Sequence, residues 1–157
     1  MTSKAGIKRI VVGVDGSTNS YSALKWAIRM AKALGSQITA VYAVNIPVYF
    51  LEPYSIPVQF DDEWRQEIKD EFENKWCKAL KTSGVRYRTV MEDGRPATVI
   101  AGVADREAAD LIVIARRGRG EVRELLLGSV SHELALHSKR PVLLIEPEPA
   151  GTARRQR

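Results

Sequence analysis

Cysteine is nearly absent from this chain: Cys77 is the only one in 157 residues. An internal disulfide and a cysteine-based zinc site are therefore excluded. Histidine is almost as scarce. His132 and His137 are five positions apart, which does not place them on one face of a helix, and they read as surface or packing residues, not metal ligands. No apolar run approaches the length of a membrane span. Met1–Gly6 leads directly into a strand-like segment, without the apolar core of a signal peptide, so a cytoplasmic protein is the expectation. The chain also has no Gly-x4-Gly-Lys-(Ser/Thr), no complete Gly-x-Gly-x-x-Gly and no Gly-x-Ser-x-Gly.

What remains is the composition of an ordinary globular protein, 45% apolar and 27% charged, long enough for one domain and too short for two. The formal charge of +5 raises the question of nucleic acid. Three of the arginines, Arg154, Arg155 and Arg157, follow Pro147, Pro149 and Gly151. The sequence thus divides into a domain over 1–147 and a basic tail over 148–157 that is expected to be disordered. Without that tail the domain is only mildly basic. No interleaving of aromatic with basic residues, as single-strand binders use it, is evident along the chain. Nucleic acid is not the expected partner.

Ile10-Val11-Val12 followed by Gly13-Val14-Asp15-Gly16-Ser17 reads as a buried parallel strand feeding a loop. Ser17–Ser20 offer N-caps for a helix whose apolar face is Ala23, Ala27, Met30, Ala31 and Leu34, and Gly35 ends it. Ile38–Val44 is a second strand. The proline- and aromatic-bearing stretch Ile46–Phe60 reads as a long loop, either a lid or a connector packed by its own aromatics. A long helix follows from Asp61 to Gly84, with Trp64, Ile68, Phe72, Trp76 and Leu80 inward. Val85–Met91 alternates with Arg86 and Arg88, as a wet or edge strand does. Pro96 opens a third helix, Leu111–Ile114 is a fourth strand, a helix is expected over Glu121–Ser138, and Pro141–Ile145 is a fifth strand. Strands alternating with helices give an α/β fold, a mostly parallel sheet with helices on both faces. Ligands bind such sheets beyond the carboxyl ends of the strands, where strand order reverses. The loops at Gly13–Ser17 and Ala115–Gly120 lie at that end.

The second loop holds Gly118 and Gly120, which let backbone N–H groups approach a ligand, and Arg116, Arg117 and Arg119, which add positive charge. A helix start follows. Together these favour an anion, most simply phosphate; the plainer reading is a solvated basic loop. Gly128-Ser129 falls inside the expected helix, where glycine costs about 1 kcal/mol against alanine. That cost points to a close approach to the backbone. Asp15 could cap the first helix, hold part of a nucleotide or act as a nucleophile. The last is disfavoured because the phosphatases that use such an aspartate need another two residues earlier, where this chain has Gly13.

With both loops in view, the chain resembles the universal stress protein family from about Ile7 to Ile145. The resemblance rests on Ile10–Ser17, Ala109–Ile114, Leu126–Ser131 and the ending Arg140–Ile145. The ATP-binding branch of that family carries Gly-x2-Gly-x9-Gly-(Ser/Thr). Here it reads Ala115-x2-Gly118-x9-Gly128-Ser129, the spacing intact and the first glycine replaced. The resemblance implies a doubly wound five-stranded sheet in the order 3-2-1-4-5, with ATP between the first and fourth strands. It sets Gly13, Val14 and Asp15 beside the adenosine, Ala43 at the adenine edge, and Ile114 and Ala115 against the ribose. Arg117, Gly118, Gly128, Ser129 and Val130 would surround the phosphates, with a divalent ion such as Mg2+ or Mn2+. It further implies a stress-response or signalling regulator, usually dimeric. The apolar fifth strand, 141–146, lies at an edge in that order and is the expected homodimer surface. A slow ATPase and an interaction module that has lost its nucleotide are the alternatives, the second because of Ala115.

Overall fold

The computed structural model describes residues 6–45, 62–118 and 127–146. The expected loop 46–60, Arg119, Gly120, the expected helix start at Glu121 and the tail 148–157 lie outside the described residues.

Strand β1 (Arg9–Gly13) leads into helix α1 (Thr18–Leu34), then β2 (Gln37–Val44). Helix α2 (Asp62–Glu71) runs through a π turn at Phe72–Trp76 into the short α3 (Lys78–Lys81). Then come β3 (Tyr87–Asp93), α4 (Pro96–Arg106), β4 (Leu111–Ala115), α5 (Ser129–His137) and β5 (Val142–Ile145). The strands form one parallel sheet in the order β3-β2-β1-β4-β5.

The continuous apolar runs of β1 and β4 are explained by burial on both faces. Ile10, Val12 and Val113 meet Leu24, Ala27 and Phe72 in one layer. Val11, Ile112 and Ile114 meet Val99, Ile100, Val103 and Leu134 in the other. The helix ends follow local chemistry. Ser17 caps α1 by accepting from Ser20 N at 3.1 Å, Gly35 closes it at φ +67°, and Pro96 stands at the start of α4. β3 is an edge strand with partly exposed side chains, as its alternation predicts.

Three expectations are corrected. The helix expected over 61–84 is not continuous. An apolar repeat of four residues drifts about 40° per step around a 3.6-residue helix. The wider π turn takes up that drift, so that Phe72 and Trp76 both pack on Tyr42, with ring centroids 5.7 and 4.9 Å away. Gly128 is not inside a helix. It is the N-cap of α5, extended at φ −70° and ψ 162°, and its N–H bonds back to Arg116 O at 2.9 Å. Finally, α1 does interleave aromatic and basic residues. Tyr21 with Lys25 and Trp26 with Arg29 are separated in sequence by one helical turn, and the helix stacks each pair on its outer face.

Candidate functional site

At the carboxyl ends of β1 and β4, where strand order reverses, the sheet opens into a cavity of about 200 Å³. Gly13, Val14, Asp15, Ala43, Ile114, Ala115, Gly118, Ser129 and Val130 line it, each a residue that the sequence nominates. Arg117 and Gly128 are not among the residues that line it; each is the chain neighbour of one that does, Gly118 and Ser129.

The glycines on the wall are there for lack of space. A Cβ on Gly13 would come within 2.8 Å of Ile100 Cδ1 and 3.0 Å of Ile114 Cγ2. One on Gly118 would meet Asp15 Oδ2 at 2.9 Å. The Asp15 carboxylate thus reaches from the β1 loop across to the β4 loop. Its Oδ1 accepts from Ser17 N at 2.9 Å, a local turn, while Oδ2 has no hydrogen-bond partner among the described residues. The helix cap is Ser17, which removes capping from the readings of Asp15. The β1 loop is fastened further by Val14 N donating to Val41 O at 2.9 Å.

The β4 loop is held differently. Arg116 N donates to Ile145 O at 2.9 Å, and Arg116 O accepts from Gly128 N. Ser131 Oγ, buried, lies 2.7 Å from Arg116 O and 2.9 Å from Gly128 O. A Cβ on Gly128 would touch Arg116 O and Arg117 Cα at 3.4 Å, so the start of α5 lies directly on the loop backbone. Ala115 ends β4 in ordinary strand backbone; among the described non-glycine residues only Ala108 has positive φ. The arginines divide. Arg116 is committed to Glu146, Nε to Oε2 at 2.6 Å, and its charge does not serve the cavity. Arg117 has a buried Nε with no hydrogen-bond partner among the described residues.

Sequence reasoning missed Ser20, Val41, Tyr42, Pro96, Ile100 and Ser131 on the wall. Val41 lies two residues before Ala43 on the same face of β2, and period-2 alternation could have found it. Ser131 reaches Arg116 O, and Glu146 the Arg116 side chain, through contacts distant in sequence. Asp15 is the only carboxylate among the described lining residues, and none of those is a histidine. His132 and His137 are exposed on α5. No three His, Cys, Asp or Glu side chains come together as a metal site among the described residues. Among them, no helix is long and apolar enough to cross a membrane. Burial pushes the Cys77 thiol up to about 12, which makes it an inert packing group.

A solved structure of an initially hypothetical protein, determined to assign its biochemical function, superposes with a TM-score of 0.79 at 23% identity, covering 93% of this chain and all of the other. A universal stress protein in complex with cAMP aligns at a TM-score of 0.66 and 23% identity, over 92% of this chain and all of its own. One from Archaeoglobus fulgidus in complex with dAMP aligns at 0.65 and 23%, over 88% and 97%. These likenesses show the shared fold. In sequence, a universal stress protein of Methanocaldococcus jannaschii is 32% identical over 139 residues, 88% of this chain and 82% of the relative. Universal stress protein YxiE of Bacillus subtilis is 32% identical over 145 residues, 87% and 97%. The sequence model of the universal stress protein family matches residues 6–146, and this chain belongs to that family.

Proposed function

We propose that the cavity binds an adenine nucleotide, ATP foremost, and that the protein is a cytoplasmic stress-response regulator whose partner interactions depend on occupancy. One observation carries the reading: two loops distant in sequence converge on one cavity, and each has a glycine where a Cβ would collide with a lining residue, Ile100 and Ile114 at Gly13 and Asp15 at Gly118. The cavity is below the ~300–1,000 Å³ usual for small-molecule sites. That size suits the nucleoside, leaving the phosphates for the outer rim along Gly118 and Ser129. Asp15 Oδ2 is an acceptor for a ribose hydroxyl or the adenine amino group. Arg117 and the unpaired N–H groups at the start of α5 suit phosphate oxygens. A divalent ion would take its ligands chiefly from those phosphates, since no protein cluster for it occurs among the described residues. The relatives solved with cAMP and dAMP support the adenine assignment. Native mass spectrometry of the purified protein, followed by calorimetry with ATP, ADP, AMP and cAMP, tests it. A ligand-free mass together with no heat for any of the four would overturn it.

Regulation fits the site better than turnover does. The described lining residues offer one carboxylate, Asp15, which faces the nucleoside, and no histidine to activate water against a phosphate. We further propose a homodimer through β5. Its outer edge has no strand partner among the described residues, and Val142, Leu143 and Leu144 are only half-buried there. Sedimentation at tens of micromolar, a concentration chosen so that weak dimers persist, should show a dimer; a monomer there refutes it.

A further inference from the structure

A second cleft of about 410 Å³ runs between α1, the end of α3 and the end of β5. Ile28, Ala79 and Ile145 are among its apolar lining residues; Lys25, Arg29 and Lys32 also line it. Helix α1 contains no acidic residue, and none of these three cations has an ion pair among the described residues. The one carboxylate among the described residues of the cleft, Glu146, is neutralised by Arg116. The acids are segregated elsewhere, with Asp62, Glu63, Glu67, Asp70 and Glu71 along α2.

Two aromatic rings complete the cleft. Lys25 Nζ sits 5.1 Å from the centroid of the Tyr21 ring and Arg29 Cζ 5.2 Å from that of Trp26, and each ring is 41% exposed. The two rings add apolar surface to the cleft, and each stack keeps a charged end beside it. Lys25 to Lys32 spans about 10 Å of helix axis at 1.5 Å per residue, enough to meet two or three carboxylates of one segment.

We propose that this cleft docks an acidic protein segment carrying an apolar anchor residue. The carboxylates pair with Lys25, Arg29 and Lys32, and the anchor packs against Trp26, Ile28 and Ala79. Single-stranded nucleic acid fits less well, because a cation already covers a face of each ring on which a base would stack. A bilayer fits less well because the surface is concave. The cleft shares no lining residue with the adenine cavity, so the two assignments stand or fall separately.

The test is fluorescence anisotropy with a labelled peptide of glutamate pairs separated by leucines, against the full chain. Binding should be in the micromolar range and weaken as salt is raised. It should fall at least about tenfold when Lys25→Glu, Arg29→Glu and Lys32→Glu are combined, each being an exposed side chain whose reversal leaves the core intact. The milder triple change to glutamine should lose part of that, and Trp26→Ala several-fold, with ATP binding unchanged throughout. Absence of peptide binding, or binding indifferent to the charge reversal, overturns the proposal. So does tighter binding of oligo-dT or of phosphatidylserine vesicles than of the peptide, either one abolished by the same reversal.

Discussion

The paired strands β1 and β4 have two ends, and an aspartate stands at each. At the amino end the Asp110 carboxylate accepts from Lys8 N at 2.8 Å and Arg9 N at 2.9 Å, and Asp110 N donates to Arg9 O. The two strands are clasped there, both N–H groups donating to the one oxygen Oδ2. At the carboxyl end the strands part around Gly13 and Ala115. Asp15 uses one oxygen to fix its own turn and turns the other toward Gly118. Each aspartate bonds through one oxygen, but at one end that bond joins two strands, and at the other the second oxygen is held beside a cavity. Unspent polar capacity beside a cavity is what distinguishes a binding end from a structural one.

Changes at the carboxyl end should therefore cost binding, and changes at the amino end should cost stability. Gly13→Val should have the largest effect, because its side chain would drive into Ile100 and Ile114. Overpacking of that kind costs about 1–3 kcal/mol, and nucleotide binding should vanish in calorimetry while the melting temperature falls. Asp15→Ala comes next. It removes the acceptor that faces the nucleoside, a loss of about 1.5–3 kcal/mol for a charged hydrogen bond, or roughly tenfold or more in affinity for adenosine and ATP alike. Arg117→Ala should weaken ATP about tenfold and leave adenosine nearly unchanged; equal loss for both would move Arg117 out of the phosphate region.

Asp110→Ala sharpens the comparison from the other end. The backbone N–H bonds from Lys8 and then Arg9 hold the Asp110 carboxyl below the ordinary carboxylate range. A lowered pKa contributes stability that is present above the unfolded-state value and is lost as pH falls through the folded-state value. The variant should melt a few degrees lower at neutral pH, consistent with roughly 1 kcal/mol for an exposed, solvent-screened group. The gap should close as the medium is taken below the carboxylate range, and ATP affinity should not change. Loss of ATP binding in this variant would mean that the two ends are mechanically coupled.

The two loops also differ in how far they can be read from sequence. Most of what fixes the β1 loop lies within a few residues: the Asp15 turn, the Ser17 cap, the Ser20 hydroxyl at 3.3 Å from Asp15 N; the Val14 N bond to Val41 O is the distant exception. Local chemistry of this kind is visible in a string of letters. The β4 loop is closed by Ser131, Gly128 and Ile145, up to thirty positions away, so neither Ser131 nor the diversion of Arg116 to Glu146 could be seen. Gly128 was legible as a close approach, but its place at a helix start was not, because glycine alone does not distinguish a cap from an interior position. The π turn escaped for a related reason. Its four-residue apolar repeat is as regular as a helix's, and only the rings it must present to Tyr42 decide the winding.

Ala115→Gly should have the smallest effect. The family motif has glycine here, so alanine is either a tolerated methyl group or the feature that closes the site. The backbone answers half of the question: Ala115 is strand residue with no positive φ, so alanine carries no conformational strain. Glycine in a strand costs roughly 0.5–1 kcal/mol in chain entropy, while removing the methyl widens the cavity at the ribose position. The first acts on folding stability and the second on binding, where 1 kcal/mol is about fivefold in affinity. Calorimetry with ATP, ADP and cAMP should therefore find wild type and variant within about fivefold of each other. If the wild type gives no heat and the variant binds, the methyl group blocks the nucleotide. The carboxyl end of this strand pair would then be as closed as the clasped end, and the protein would act through its surfaces alone.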